Sequence, residues 1–183
     1  MGAAFLRNFF QPLFYAIPMM SMTEHFKAHL HDEAGTAALG AALARALAPG
    51  LAIYLHGDLG AGKTALTRAL LHAAGHKGHV KSPTYTLSEP YSVQLDGQRL
   101  DIIHFDLYRM GSPEEFLDAG FREDFNGRNV CIVEWPEKAD PVLPPADINI
   151  YLSVAGTGRD VELQGSSKLG LSCLQRLKFA PNL

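Results

Sequence analysis

Apolar and polar positions change rhythm several times along the chain, and each rhythm predicts an element. From about Phe26 the pattern becomes regular: Leu39, Leu43 and Leu47 recur every four residues, with Ala42 and Ala46 on the same side. That spacing predicts an amphipathic helix, capped by Asp32 and stopped at Pro49-Gly50. Residues 51–55 form a short apolar run closed by Gly57, as in a strand buried on both faces. A second helix is expected from Gly62 to about Ala74, with Gly75 as its stop. Residues 84–91 and 100–105 are rich in β-formers and read as adjacent strands. Ser112-Pro113-Glu114-Glu115 has the form of a capping box with proline at the first helical position, so a short helix starts there. Residues 130–133 are another buried strand, and 148–152 and 161–163 read as late edge strands. Strands alternating with helices imply an α/β fold, a three-layer sandwich of the P-loop NTPase kind around a mostly parallel sheet.

The length of 183 residues fits one domain with a real core and is too short for two enzyme domains. With 47% hydrophobic residues the chain is too apolar to be disordered as a whole. No repeat or low-complexity linker divides it, so a single domain is expected over residues 23–165, followed by a tail at 166–183 that the sequence does not interpret. The net charge of −3 lacks the basic excess of proteins that hold nucleic acid electrostatically, so no direct grip on RNA is expected. Cys131 and Cys173 are the two cysteines, too few for a disulfide framework or a cysteine zinc site, which favours a reducing, cytoplasmic setting.

Residues 1–22 differ from the rest, with Phe5, Phe9, Phe10, Phe14 and Tyr15 but no acidic residue. Arg7, Asn8, Gln11, Pro12 and Pro18 interrupt any run of the roughly 20 apolar residues that a membrane span needs. No small-residue cleavage site is evident, and Leu6 stands where myristoylation expects Ser or Thr. The segment reads as a disordered or upstream-translated leader, with Met19, Met20 and Met22 as candidate starts; an organellar presequence is the alternative. No membrane association is expected.

The strongest chemical signal is Gly57-Asp58-Leu59-Gly60-Ala61-Gly62-Lys63-Thr64, a full match to G-x-x-x-x-G-K-S/T between a strand and a helix. Glycines let successive backbone N–H groups face an anion, and the helix start adds its partial positive charge. Lys63 is expected as a surface cation aimed at terminal phosphates, and the Thr64 hydroxyl as part of a Mg²⁺ shell.

Two apolar strands end in carboxylates, Asp106 and Glu134, at the sheet edge where α/β folds bind ligands. One can hold the metal's water while the other orients the attacking water or senses the phosphate; spacing does not say which. Strand-end carboxylates that merely cap loops are the alternative. Ser82-Pro83-Thr84-Tyr85-Thr86 sits where nucleotide switches place a hydroxyl-bearing loop, with Thr84 or Thr86 as the candidate, unless it is a plain strand start. His72, His76 and His79 lack a partner set for zinc and are expected to face solvent. Cys131, inside an apolar strand, reads as a packed thiol. Trp135 either packs on a switch loop or partner or sits at the rim of the core.

Taken in order, GDLGAGKT, KSPTYTLSEPY, HFDLYR and VEWPEKAD resemble the motifs of the TsaE family, formerly YjeE, and the likeness extends over about residues 30–163. The resemblance implies a small bacterial P-loop ATPase needed for the threonylcarbamoyl modification of adenosine beside the anticodon of ANN-reading tRNAs. Its cofactors would be ATP and Mg²⁺, and its partners TsaD and TsaB, with the transfer chemistry belonging to TsaD. It also implies that Leu59, Gly60, Ala61, Gly62, Lys63 and Thr64 bind phosphates and that Thr64 and Glu134 are the Mg²⁺ ligands. Asp106 then matches the family's catalytically important aspartate, and Trp135 the tryptophan after the metal-binding glutamate. Glu33 and Thr36 resemble the stretch that meets the nucleobase side, and Gly158-Arg159 a late Gly-Arg near the nucleotide. The leader has no counterpart in the family.

Three other functions share the phosphate loop. A small-molecule or nucleoside kinase brings several lid arginines over the phosphates, whereas here the arginines are scattered and only Arg122 and Arg128 come close together. A regulatory GTPase shows N-K-x-D, which is absent. A non-catalytic interaction module would hold nucleotide as a structural ligand only.

Overall fold

The computed structural model describes residues 25–95 and 97–178; the expected leader lies outside them. Chain order is β1 (His25–Leu30), α1 (Glu33–Ala46), β2 (Ala52–His56), α2 (Lys63–Ala73), β3 (Ser88–Leu95), β4 (Gln98–Asp106) and α3 (Pro113–Asp118). There follow β5 (Val130–Glu134), β6 (Ile148–Ala155), β7 (Gly158–Gly165) and α4 (Lys168–Lys178), with 3₁₀ turns at Phe121–Asp124 and Pro136–Ala139 on either side of β5. The strands form a 7-stranded sheet in the order β1-β7-β6-β2-β5-β4-β3. Its centre, β6-β2-β5-β4, is parallel, and the flanking pairings are antiparallel.

Helix α1 forms where the spacing places it. The Asp32 carboxylate accepts the Gly35 N–H at 3.0 Å, and Glu33 and Arg45 complement the dipole at its two ends. Leu39 and Leu43 are buried against α2, and a Cβ at Gly40 would run into Ala69, so this helix pair approaches at glycine distance. Helices α1, α2 and α4 cover one face of the sheet, over Ile53, Leu55, Ile102, Ile132, Ile150 and Leu163. On the other face α3 and the 3₁₀ turns close an aromatic cluster in which Phe105 meets Phe121 at 5.4 Å and Phe116 at 6.1 Å. Cys131 and Cys173 are free and buried, and burial pushes the Cys131 thiol up to about 12. Among the described residues no helix is long and apolar enough to cross a membrane.

In its secondary structure the chain departs from the expectations at four places. Residues 84–87 are not strand: Leu87 donates its N–H to the Pro83 carbonyl at 2.6 Å and has a φ of 63°, which closes a turn before β3 begins at Ser88. The strands at 148–152 and 161–163 are not edges, because β1 pairs antiparallel with β7 and takes the edge itself. Cross-strand pairs of His25 and Lys27 with Glu162, and of His29 with Asp160, dress the exposed face there. The uninterpreted stretch after 165 holds α4, capped by Ser167 Oγ on the Gly170 N–H at 3.0 Å and burying Cys173, Leu174 and Leu177. Finally, α3 starts at Pro113, yet Ser112 makes no side-chain cap, and Glu115 accepts instead from the Gly111 N–H at 3.2 Å.

Candidate nucleotide site

Strands β2, β5 and β4 deliver the site from one edge of the sheet. Strand β2 runs into Gly57, and the loop that follows turns into α2 at Gly62. Gly57, Gly60 and Gly62 have φ of 135°, 82° and 108°, and a Cβ on Gly57 would strike the Leu152 carbonyl. Among the described residues only one amide of the loop is tied back, Ala61 N–H to the Asp58 carbonyl at 3.1 Å. The first turn of α2 leaves its own N–H groups without intrahelical acceptors. These groups lie in a cleft of about 470 Å³ lined by Leu59, Gly60, Gly62, Lys63 and Thr64. Such a wall of free amides at a helix N-terminus suits a phosphate chain.

Lys63 is not at the surface as expected: it is 4% exposed. Its Nζ donates to the Gly57 carbonyl and, at 2.9 Å, to that of Asp58, while the Trp135 ring covers it at 3.7 Å. The cause lies in Trp135, whose left-handed backbone (φ 59°) directly after β5 sets the indole over the loop. Burial pushes the Lys63 ammonium below the usual lysine range, against the opposing pull of Glu134, Glu137, Asp106 and Asp58.

The two carboxylates end their strands side by side, Asp106 of β4 in register with Glu134 of β5. Both are buried. Glu134 accepts from the Thr64 hydroxyl at 2.8 Å (Oε1) and 3.0 Å (Oε2), and His104 Nε2 lies 2.9 Å from Oε1. Asp106 accepts from the hydroxyls of Ser82 and Thr84, the latter at 2.8 Å, and from the Tyr108 N–H at 3.1 Å. One buried ammonium thus faces two buried carboxylates, an imbalance that a divalent cation offsets. Among the described residues no three His, Cys, Asp or Glu side chains make a ready metal cage. The donor set, one hydroxyl and one carboxylate beside a phosphate-shaped wall, fits Mg²⁺ shared with a nucleotide's oxygens.

Of the residues expected from sequence, Leu59, Gly60, Gly62, Lys63, Thr64, Thr84, Asp106, Glu134 and Trp135 line this one cleft. Glu33, Thr36, Ala61 and Arg159 line a neighbouring cleft of about 500 Å³ that shares Gly62 and Ala65 with it. Arg159 ties β7 to the loop by donating Nε to the Ala61 carbonyl at 3.1 Å. Thr86 does not line this cleft but an adjoining depression, with His79 and Tyr85, that shares Ser82 with it. His72 and His79 are exposed as expected, whereas His76 is half-buried, its ring edge-on to that of Tyr91 at 4.9 Å. Ser82, Tyr108, Arg109 and His104 also belong to the site but are not singled out by the sequence pattern. The first three were legible only as loop residues; His104 carried a signal, a polar side chain inside an apolar strand. Arg122, a candidate lid arginine, is committed to the Val142 carbonyl at 2.7 Å.

Comparison with known proteins places this geometry in context. The family model described as "Threonylcarbamoyl adenosine biosynthesis protein TsaE" matches residues 30–161. A Haemophilus influenzae protein named "tRNA threonylcarbamoyladenosine biosynthesis protein TsaE" is 48% identical over 118 residues, covering 64% of this chain and 72% of its own. A Treponema pallidum protein of the same name is 37% identical over 123 residues, covering 67% and 87% respectively. The crystal structure of YdiB from Bacillus subtilis superposes with a TM-score of 0.69 at 29% identity, over 88% of this chain and 99% of that one.

Proposed function

We propose, since this chain belongs to the TsaE family, that it serves tRNA threonylcarbamoyladenosine biosynthesis as a cytoplasmic, Mg²⁺-dependent ATPase acting on the TsaD–TsaB pair. The observation that carries this reading is the convergence of Lys63, Thr64, Asp106 and Glu134, two of them strand-end carboxylates in register, in one cleft at the phosphate loop. The acidic net charge of −3 gives the chain no electrostatic hold on tRNA, in keeping with action on a protein complex that carries out the transfer itself.

In this reading the loop amides and the α2 N-terminus bind the phosphate chain, and Lys63 turns from the Gly57 and Asp58 carbonyls toward phosphate oxygens. Thr64 and Glu134 hold Mg²⁺, which supplies positive charge against those oxygens. Asp106, tied to Ser82, Thr84 and the Tyr108 N–H, orients the attacking water and transmits the state of the site to the loops. Glu33, Thr36 and Arg159 border the nucleobase side. A kinase would need further arginines over the phosphates; among the described residues Arg109 lines the cleft and Arg159 its neighbour. Reconstitution tests the proposal: with TsaD–TsaB, tRNA and ATP, modification should appear only when this protein is supplied, and its ATP turnover should rise with the pair present. Modification that proceeds equally without it would refute the assignment.

A further inference from the structure

His104 is enclosed completely, at 0% exposure, within the run Ile102-Ile103-His104-Phe105 of β4. Its register partner on β5 is Ile132, so Glu134, two residues further on, lies diagonally from it on the same face of the sheet. There Nε2 sits 2.9 Å from Glu134 Oε1, while Nδ1 is buried with no hydrogen-bond partner. A carboxylate oxygen accepts, so Nε2 carries the hydrogen and donates. A side chain kept for packing alone would be leucine or isoleucine, which fill a similar space without an orphan nitrogen. Histidine at this position instead accepts the cost of one unsatisfied atom, and its single polar contact among the described residues is Glu134.

We infer that His104 is a positioning residue for the cation site: its Nε2–H fixes Glu134 Oε1 and leaves Oε2 as the oxygen that meets a divalent cation. Thr64 reaches both oxygens, so it cannot by itself distinguish them; His104 engages Oε1 alone. The glutamate is thereby held from two elements, α2 through Thr64 and β4 through His104, before any ligand arrives. Partners that orient a ligating carboxylate in this way contribute strongly to metal affinity without touching the ion. The inference rests on the proposed Mg²⁺-nucleotide role of Glu134.

Trp135 is the only tryptophan in the chain and lies over Lys63, so its fluorescence reports on the site without any turnover. Mg²⁺ is titrated into the full-length protein with ADP for wild type, Glu134→Gln, His104→Leu and His104→Gln, and melting is followed in parallel. His104→Leu should raise the half-saturating Mg²⁺ by about tenfold, keep Mg²⁺-free ADP affinity within about twofold, and melt cooperatively. His104→Gln restores an N–H donor near the position of Nε2 and should recover most of the loss, which a packing role would not produce. A His104→Leu requirement equal to wild type, with Glu134→Gln shifted, overturns the inference and leaves the Mg²⁺ role of Glu134 standing. An unshifted Glu134→Gln overturns both. Should His104→Leu fail to fold, His104→Gln decides: a Mg²⁺ requirement near wild type upholds the role, and one as poor as that of Glu134→Gln overturns it. Loss of Mg²⁺-free ADP affinity in both His104 variants marks a structural role and also overturns it.

Discussion

The two walls of the cleft are built of different material. On one side Glu134 is fixed by regular structure, by Thr64 in the first turn of α2 and by His104 in the middle of β4. On the other side its register partner Asp106 is held by irregular chain, by the Ser82 and Thr84 hydroxyls of a turn and by the Tyr108 N–H beyond the strand end. The outer shell differs likewise: Trp135 closes over Lys63 on the first side, whereas Arg109 stacks on the 85%-exposed Tyr85 ring on the second. Under the proposed function these equal carboxylates at equal strand ends take unequal work. A group locked between a helix and a strand suits binding, and one held by loops suits a step in which the loops respond.

The sharpest way to break this division is to remove the cation that both walls face. Lys63→Ala should weaken ATP binding by about 10–100-fold, the value of a charge-assisted phosphate contact, and abolish support of tRNA modification. Because Lys63 is buried under Trp135, the variant should also melt somewhat earlier while keeping its circular dichroism spectrum. Asp106→Asn keeps shape and loses charge. Turnover should fall by at least about 100-fold, with MgATP affinity within about threefold by calorimetry. Glu134→Gln should act at the other wall, raising the Mg²⁺ needed for half-maximal hydrolysis by about 30-fold.

The smallest effect concerns pH. The Lys63 ammonium sits below the usual lysine range, so its charge, and the phosphate affinity it supplies, is complete at low pH and is lost as pH rises through that lowered value. ATP affinity should begin to decline at a pH below the ordinary lysine value of about 10.4, and fall several-fold once the ammonium is lost. Lys63→Arg, which stays charged, should show no such limb in the same titration.

The phosphate loop and both strand-end carboxylates were legible in the sequence, whereas the contacts that hold each wall were not. An eight-residue loop pattern between an apolar run and a helix is local chemistry, and Asp106 and Glu134 stand out because each closes an otherwise apolar strand. What the sequence hid depends on contacts between distant segments. The burial of Lys63 follows from the backbone of Trp135, and the edge position of β1 from its pairing with β7. The turn at 84–87 was masked by its β-forming residues, because Ser82 and Thr84 spend their hydroxyls on Asp106 across the cleft. In α4 the spacing of Cys173, Leu174 and Leu177 was present, but only the packing against α1 and β7 gives it meaning.

The division of labour between the walls is tested most directly by titrating Mg²⁺ against ATP hydrolysis for Glu134→Gln and Asp106→Asn side by side. Excess Mg²⁺ should restore much of the activity of Glu134→Gln and none of that of Asp106→Asn. Rescue of Asp106→Asn, with Glu134→Gln insensitive to Mg²⁺, would contradict it and exchange the two roles.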